Sequence, residues 1–141
     1  MTTILMYSHD GFGLGHLKRN VILAQKVLQK IPESSVFLLM GHSSFPFASA
    51  LPYGVDFIKL PSLVKVNTGE WHSRNVSIPN GPLKKLRSSL ILQTARVLKP
   101  DIFLVDYTPQ GVWGELRQTL KTLKRQNPTP VILLGLRDIL D

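Results

Sequence analysis

Among its 141 residues the chain has no cysteine. Disulfide frameworks, thiolate nucleophiles and cysteine zinc sites are therefore excluded. No apolar run approaches the roughly 20 residues that a membrane-spanning helix needs. No basic segment precedes the first apolar residues, because Thr3 leads directly into Ile4-Leu5-Met6, and a signal peptide is not expected. Acidic residues are few: nine Asp and Glu face seventeen Lys and Arg, a formal net charge of +8. These features point to the cytosol. A surface of this sign attracts anions. Nucleic acid, anionic lipid headgroups and phosphorylated small molecules all fit, as does a charge that merely keeps the protein soluble. Charge alone does not choose.

What is present is globular in balance. Hydrophobic residues are 43% and charged residues 18%, with a mean hydropathy of +0.07. The length is that of one domain with a real core. Short apolar runs rich in β-branched residues predict five strands: Ile4 to Tyr7, Ser35 to Met40, Val55 to Leu60, Ile102 to Asp106 and Val131 to Leu134. Runs that are apolar throughout, rather than alternating, predict a sheet covered on both faces. Between them, Leu17, Val21, Ala24, Leu28 and Ile31 recur at helical spacing across His16 to Lys30. A second helix opens at Pro82 with Leu83, Leu86, Leu90 and Val97 inward, and a third uses Trp113, Leu116, Leu120 and Leu123 and ends near Asn127-Pro128. His42 to Tyr53 reads as a short, broken helix. This alternation predicts an α/β fold: a doubly wound, mainly parallel Rossmann-like sheet.

Two stretches depart from that rhythm. Pro61 to Gly81, roughly twenty residues without clear periodicity, is long for a compact domain and reads as functional or mobile. The chain also ends at Asp141 soon after the fifth strand. The expectation is that it forms part of a larger protein.

In such a sheet the ligand crevice lies beyond the carboxyl ends of the strands. After the first strand comes Ser8-His9-Asp10-Gly11-Phe12-Gly13-Leu14-Gly15-His16, leading into a helix. Glycines let a backbone turn tightly and approach a ligand, and a helix N-terminus offers free N–H groups to a phosphate or carboxylate. A tight turn would need glycine for conformation alone. Three glycines with two histidines and an aspartate exceed that need. The loop is not a dinucleotide fingerprint, since the third glycine of G-x-G-x-x-G falls on His16 and the second strand runs into Met40-Gly41-His42 without the ribose-binding acid. No phosphate-binding G-x-x-x-x-G-K-[ST] occurs. A site of His9, His16 and Asp106 for a metal is conceivable, but no metal-ligand spacing appears and no metal is expected. Asp106 follows the fourth strand, where it could face the glycine loop or serve only as a turn carboxylate. Arg137 and Asp138 follow the fifth strand, as an ion pair or a ligand clamp.

Trp71, His72 and Arg74 combine an aromatic face with polar groups suited to a sugar or phosphorylated acceptor; a surface loop with one partly buried tryptophan is the simpler reading. The clusters Lys84-Lys85-Arg87 and Lys121-Lys124-Arg125 read as solvated helix faces or, more sharply, as contacts to an anionic membrane surface.

The segment 8–20 (SHDGFGLGHLKRN) resembles the first loop of GT-B glycosyltransferases near family 28. That group includes the N-acetylglucosaminyltransferase of peptidoglycan synthesis, whose loop is a glycine cluster closing on histidine. Segments 61–66 (PSLVKV), 100–116 (PDIFLVDYTPQGVWGEL) and 134–141 (LGLRDILD) are similar to a branch of predicted glycosyltransferases, so the resemblance covers essentially the whole chain. It implies two Rossmann-like domains, residues 1–141 forming the N-terminal acceptor-binding one and a C-terminal domain outside this chain holding the nucleotide-sugar. This loop alternates glycine with Phe12 and Leu14, where the peptidoglycan enzyme pairs glycines around threonine. The resemblance therefore implies sugar transfer rather than a particular acceptor.

On that basis His16 is the candidate general base and Asp106 the residue that orients it, with His9 or Asp10 as alternative bases. Asp10, Gly11, Gly13, Gly15, Arg19, His42 and Arg137 are candidates for binding the acceptor or a phosphate. The expected co-substrate is a uridine-diphosphate sugar, with no intrinsic cofactor. Expected partners are that donor, a sugar or lipid-linked acceptor, an anionic inner-membrane surface and a second copy of the chain, but not nucleic acid. A nucleotide-sugar epimerase of the same fold and a non-enzymatic anion-binding module are the rival readings.

Overall fold

The computed structural model describes residues 1–9, 15–44 and 51–136. In chain order the elements are β1 (Thr3–Tyr7), α1 (Gly15–Lys30), β2 (Ser35–Met40), β3 (Val55–Lys59), β4 (Leu63–Asn67), β5 (Glu70–Ser73), α2 (Asn80–Leu98), β6 (Ile102–Asp106), a 3-10 turn (Val112–Gly114), α3 (Arg117–Lys124) and β7 (Val131–Gly135). The main sheet has the order β3-β2-β1-β6-β7, and every neighbouring pair in it is parallel. The fold is thus the α/β, doubly wound, Rossmann-like one. Strand order reverses direction between β1 and β6, the switch point where such sheets open a crevice.

Side chains alternate across β1, and this divides the core. Ile4 and Met6 join Val36, Leu38 and Met40 against Leu17, Val21 and Ala24 of α1. Leu5 and Tyr7 join Leu39, Phe103 and Val105 against Ile91 and Ala95 of α2 and Leu116 and Leu123 near α3. Coverage of both faces holds for the central strands but not for β7, where Val131 is 55% and Leu133 46% exposed. An edge strand has a neighbour on one side only, so an apolar run does not guarantee burial there.

The inward face of α2 also differs from the expected one. Leu83, Arg87, Ile91 and Ala95 are buried, at four-residue spacing, whereas Leu86, Leu90 and Val97 are exposed. The helix is turned by one position, about 100°, because a buried partner draws Arg87 inward. Lys84 and Lys85 remain at the surface, so Arg87 drops out of the solvated basic cluster. In α1 the inward face holds Leu17, Asn20, Val21 and Ala24, while Ile31 lies past the helix end and is exposed.

The aperiodic stretch contains a second sheet. β4 and β5 pair antiparallel, with an irregularity between Lys65 and Asn67. Within these strands only Leu63 and Trp71 are buried, and that is too sparse for a period-two pattern to show. The third helix starts later than expected: Trp113 lies in the 3-10 turn with φ of 58°, and α3 begins at Arg117. Of the broken helix expected from His42 to Tyr53, residues 45–50 lie outside the described residues and the flanking positions are not helical.

Gly111 closes the turn after β6 with φ of +73°, and a Cβ there would sit 2.8 Å from Leu116 Cγ and 3.1 Å from the Tyr7 hydroxyl. Gly111→Ala is therefore expected to destabilise the fold by about 1–3 kcal/mol. Urea unfolding is the check, and a change below about 0.5 kcal/mol, an ordinary surface-substitution value, would contradict it.

Candidate functional site

Asp106 ends β6 beside β1, with Tyr7 registered against Val105. The carboxylate is 1% exposed, and a buried charge of this kind needs several donors. Most come from the first turn of α1. His16, Arg19 and Asn20 stand at i, i+3 and i+4, one face of a helix, and all three reach Asp106. His16 Nδ1 lies 2.8 Å from Oδ2. An Arg19 terminal nitrogen forms an ion pair with Oδ1. Asn20 donates its side-chain amide to Oδ2 at 3.4 Å, and the His9 backbone N–H does the same at 3.4 Å.

A hydrogen bond from Nδ1–H to a carboxylate selects the tautomer that leaves the Nε2 lone pair unprotonated. Among the described residues His16 Nε2 has no hydrogen-bond partner. Arg19 also donates to the carbonyl oxygens of Leu136 at 3.1 Å and Gly135 at 3.5 Å. These contacts tie both terminal nitrogens to the protein, while the buried Nε has no hydrogen-bond partner among the described residues.

Four rings gather over this pair. His9 lies edge-on to His16 at 5.2 Å and to Trp71 at 5.9 Å between centroids. Tyr107 tilts against His9 at 5.5 Å and His16 at 5.8 Å. Thr108 Oγ1 is 3.2 Å from His9 Nδ1. The hairpin therefore contributes Trp71 to the site, packed with Leu63, Leu83 and Val112. His72 instead sits 3.1 Å from Glu70 Oε1 at the exposed surface. Glu70 accepts from Asn67 and His72, and these bonds hold its carboxyl below the usual range.

Not every residue singled out from the sequence joins the cluster. His42 follows β2 at the same carboxyl edge, but its Nδ1 is bonded within its own turn, 2.9 Å from Ser44 O. Gly15 opens α1, and a Cβ there would meet nothing within 4 Å among the described residues. Asp10, Gly11, Gly13 and Arg137 lie outside the described residues. Among the described residues no set of three or more His, Asp or Glu is placed to hold a metal, and His9, His16 and Asp106 do not form one. Asn20 and Tyr107 were not picked out beforehand. For Asn20 a signal existed, a polar residue inside the apolar stripe of α1 and four positions after His16.

Beneath the site lies a second buried network. Glu115 and Arg87 are both fully buried and joined by two bonds of 2.8 Å. Arg87 also donates to Pro61 O at 2.5 Å. The Tyr7 hydroxyl donates to Glu115 Oε1 at 2.6 Å and accepts from the Val112 N–H at 3.1 Å. The network ties β1, α2, the approach to the hairpin and the 3-10 turn into one frame.

Burial, and next the Glu115 charge, push the Tyr7 phenol well above its ordinary 10.0. A raised folded value means that stability is fully present below the unfolded value of about 10 and is lost as pH rises from there toward the folded value. Tyr7→Phe is expected to cost about 1.5–3 kcal/mol at neutral pH, the usual worth of a hydrogen bond to a charged group. Above about pH 10 its stability should also fall less steeply than that of the wild type, by up to about 1.4 kcal/mol per pH unit. Equal slopes in urea unfolding from about pH 8 to about pH 11 would contradict the assignment.

Among the described residues no helix is long and apolar enough to cross a membrane. Comparison with protein-family models and with curated protein sequences gives no match. Fold and site together define the class: a Rossmann-like domain with a histidine–aspartate pair at its switch point.

Proposed function

We propose that the chain is the acceptor-binding half of an inverting glycosyltransferase of GT-B type, with a second domain supplying the nucleotide-sugar. The observation that carries this reading is the bond of 2.8 Å between His16 Nδ1 and the buried Asp106 carboxylate, set at the crevice edge of the sheet. Transfer with inversion requires an acceptor hydroxyl to lose its proton as its oxygen attacks the anomeric carbon. His16 Nε2 takes that proton, and Asp106 stabilises the imidazolium formed. The bond from the anomeric carbon to the nucleoside diphosphate breaks as the new glycosidic bond forms. The reaction needs no redox cofactor, and the donor is a uridine-diphosphate sugar.

The test is a transfer assay on the complete protein with labelled uridine-diphosphate sugars and a panel of sugar and lipid-linked acceptors, the product's anomeric configuration being read by NMR. An inverted glycoside supports the proposal. Acceptor-independent epimerisation of the donor, or no reaction with any pair, overturns it. The 141-residue chain alone should bind these donors more weakly than micromolar, because the groups that hold them belong to the other domain. Micromolar affinity by calorimetry would move the donor site onto this chain.

A further inference from the structure

Tyr107 follows Asp106 directly in the chain. It carries a φ of 64°, a left-handed conformation that is a genuine outlier for a bulky side chain. Strain of this kind persists where the surroundings over-determine it, and it concentrates at ligand sites. Here two anchors hold the backbone. The Tyr107 N–H bonds Gly135 O at 2.8 Å, and the next residue, Thr108, bonds back to Asp106 O at 2.8 Å.

The result is a residue 47% exposed, its ring tilted against His9 and His16, one position from the carboxylate that holds His16. The other three rings are less available: His9 is half-buried, His16 is only 15% exposed in its side chain, and Trp71 is 9% exposed as a residue. Tyr107 is thus the open member of the four-ring cluster.

From this geometry we infer that Tyr107 is a stacking platform for a pyranose ring, which makes the acceptor a carbohydrate presenting its own ring to the site. This rests on the glycosyltransferase reading and names its acceptor class. The charge pattern agrees. Arg19 is committed to Asp106 and to two carbonyls, and His16 is bonded to the same carboxylate. Both side chains already hold the same carboxylate, and the one unbonded nitrogen of Arg19, Nε, is buried. A pyranose instead has an apolar face of C–H groups for an aromatic ring, and its rim hydroxyls can reach a neighbouring hydrogen-bonding group. A ring stacked on Tyr107 would bring such a hydroxyl beside His16.

Saturation-transfer NMR on the 141-residue chain, with methyl glucoside, methyl galactoside and methyl N-acetylglucosaminide as probes, tests the platform without requiring transfer. The expected result is saturation of the pyranose C–H protons in at least one probe, kept in Tyr107→Phe and weakened at least about tenfold in Tyr107→Gly, which suits the positive φ and should stay folded. Phenyl phosphate serves as the anionic competitor. No saturation from any glycoside, equal saturation in Tyr107→Gly, or displacement by phenyl phosphate at lower concentration than any glycoside overturns the inference. Failures separate cleanly. Glycoside binding lost in Tyr107→Gly without transfer by the complete protein leaves the platform standing and removes the transferase reading. Transfer with an acceptor KM unmoved by Tyr107→Gly does the opposite.

Discussion

Glu115→Ala is expected to cost the fold about 3–5 kcal/mol, the range for removing one partner of a buried ion pair. Domains of this size are stable by about 5–15 kcal/mol in total, so the variant should sit close to unfolding at ordinary temperature. The magnitude comes from what is left behind. Arg87 would keep its charge with no carboxylate at either of its two bonds of 2.8 Å, and the Tyr7 hydroxyl would lose its acceptor. Neither can reach water without opening the contact between α2 and the sheet. The double substitution Arg87→Met with Glu115→Leu should regain part of the loss, because paired charges replaced by apolar groups of similar volume are often close to neutral. Urea unfolding followed by circular dichroism decides the matter. A loss under about 1 kcal/mol for Glu115→Ala, the worth of an exposed pair, would mean that water already reaches the network.

On the proposed transferase function, His16→Ala in the complete protein is expected to lower kcat by roughly 10²–10⁴-fold, the usual contribution of a positioned general base. Donor KM should change little, since in that proposal the ring acts on the acceptor hydroxyl. Asp106→Asn should also lower kcat by disturbing the tautomer that leaves Nε2 free to accept a proton. It carries a structural cost as well, because Arg19 loses its ion-pair partner, and its melting temperature has to be measured beside its rate. His16→Ala with near-normal kcat and a raised acceptor KM would make His16 a binding residue and return the base to His9 or Asp10.

The elements that could be read beforehand are those whose burial follows from the strand's own residues. β1, β2 and β6 are apolar throughout and lie at the sheet centre, so pattern and environment agree. The same rule misled at β7, where only the position at the sheet edge determines exposure. It also missed β4 and β5, where Lys65, Asn67 and Glu70 occupy strand positions and only two side chains are buried. α2 shows the limit most clearly. A periodicity count places leucines inward and charges outward, yet Arg87 is buried and Leu86 exposed. The ion pair with Glu115, 28 residues away, determines which face turns in.

The site divides along the same line. The parallel alternation of strands and helices already implied that residues following β1 and β6 share one edge, and His16 and Asp106 were legible on that ground alone. Helical spacing puts His16, Arg19 and Asn20 on one face, although only His16 and Arg19 were candidates from the sequence. Local pattern determines such things because helical and strand periods are properties of a short segment. What they touch is not. Arg19 turned onto Asp106 rather than toward an anion, Trp71 brought in by a hairpin, and Tyr107 held at positive φ by a carbonyl of β7 all depend on partners far away in the chain. Only the packed fold creates those partners, so only the tertiary structure could decide them.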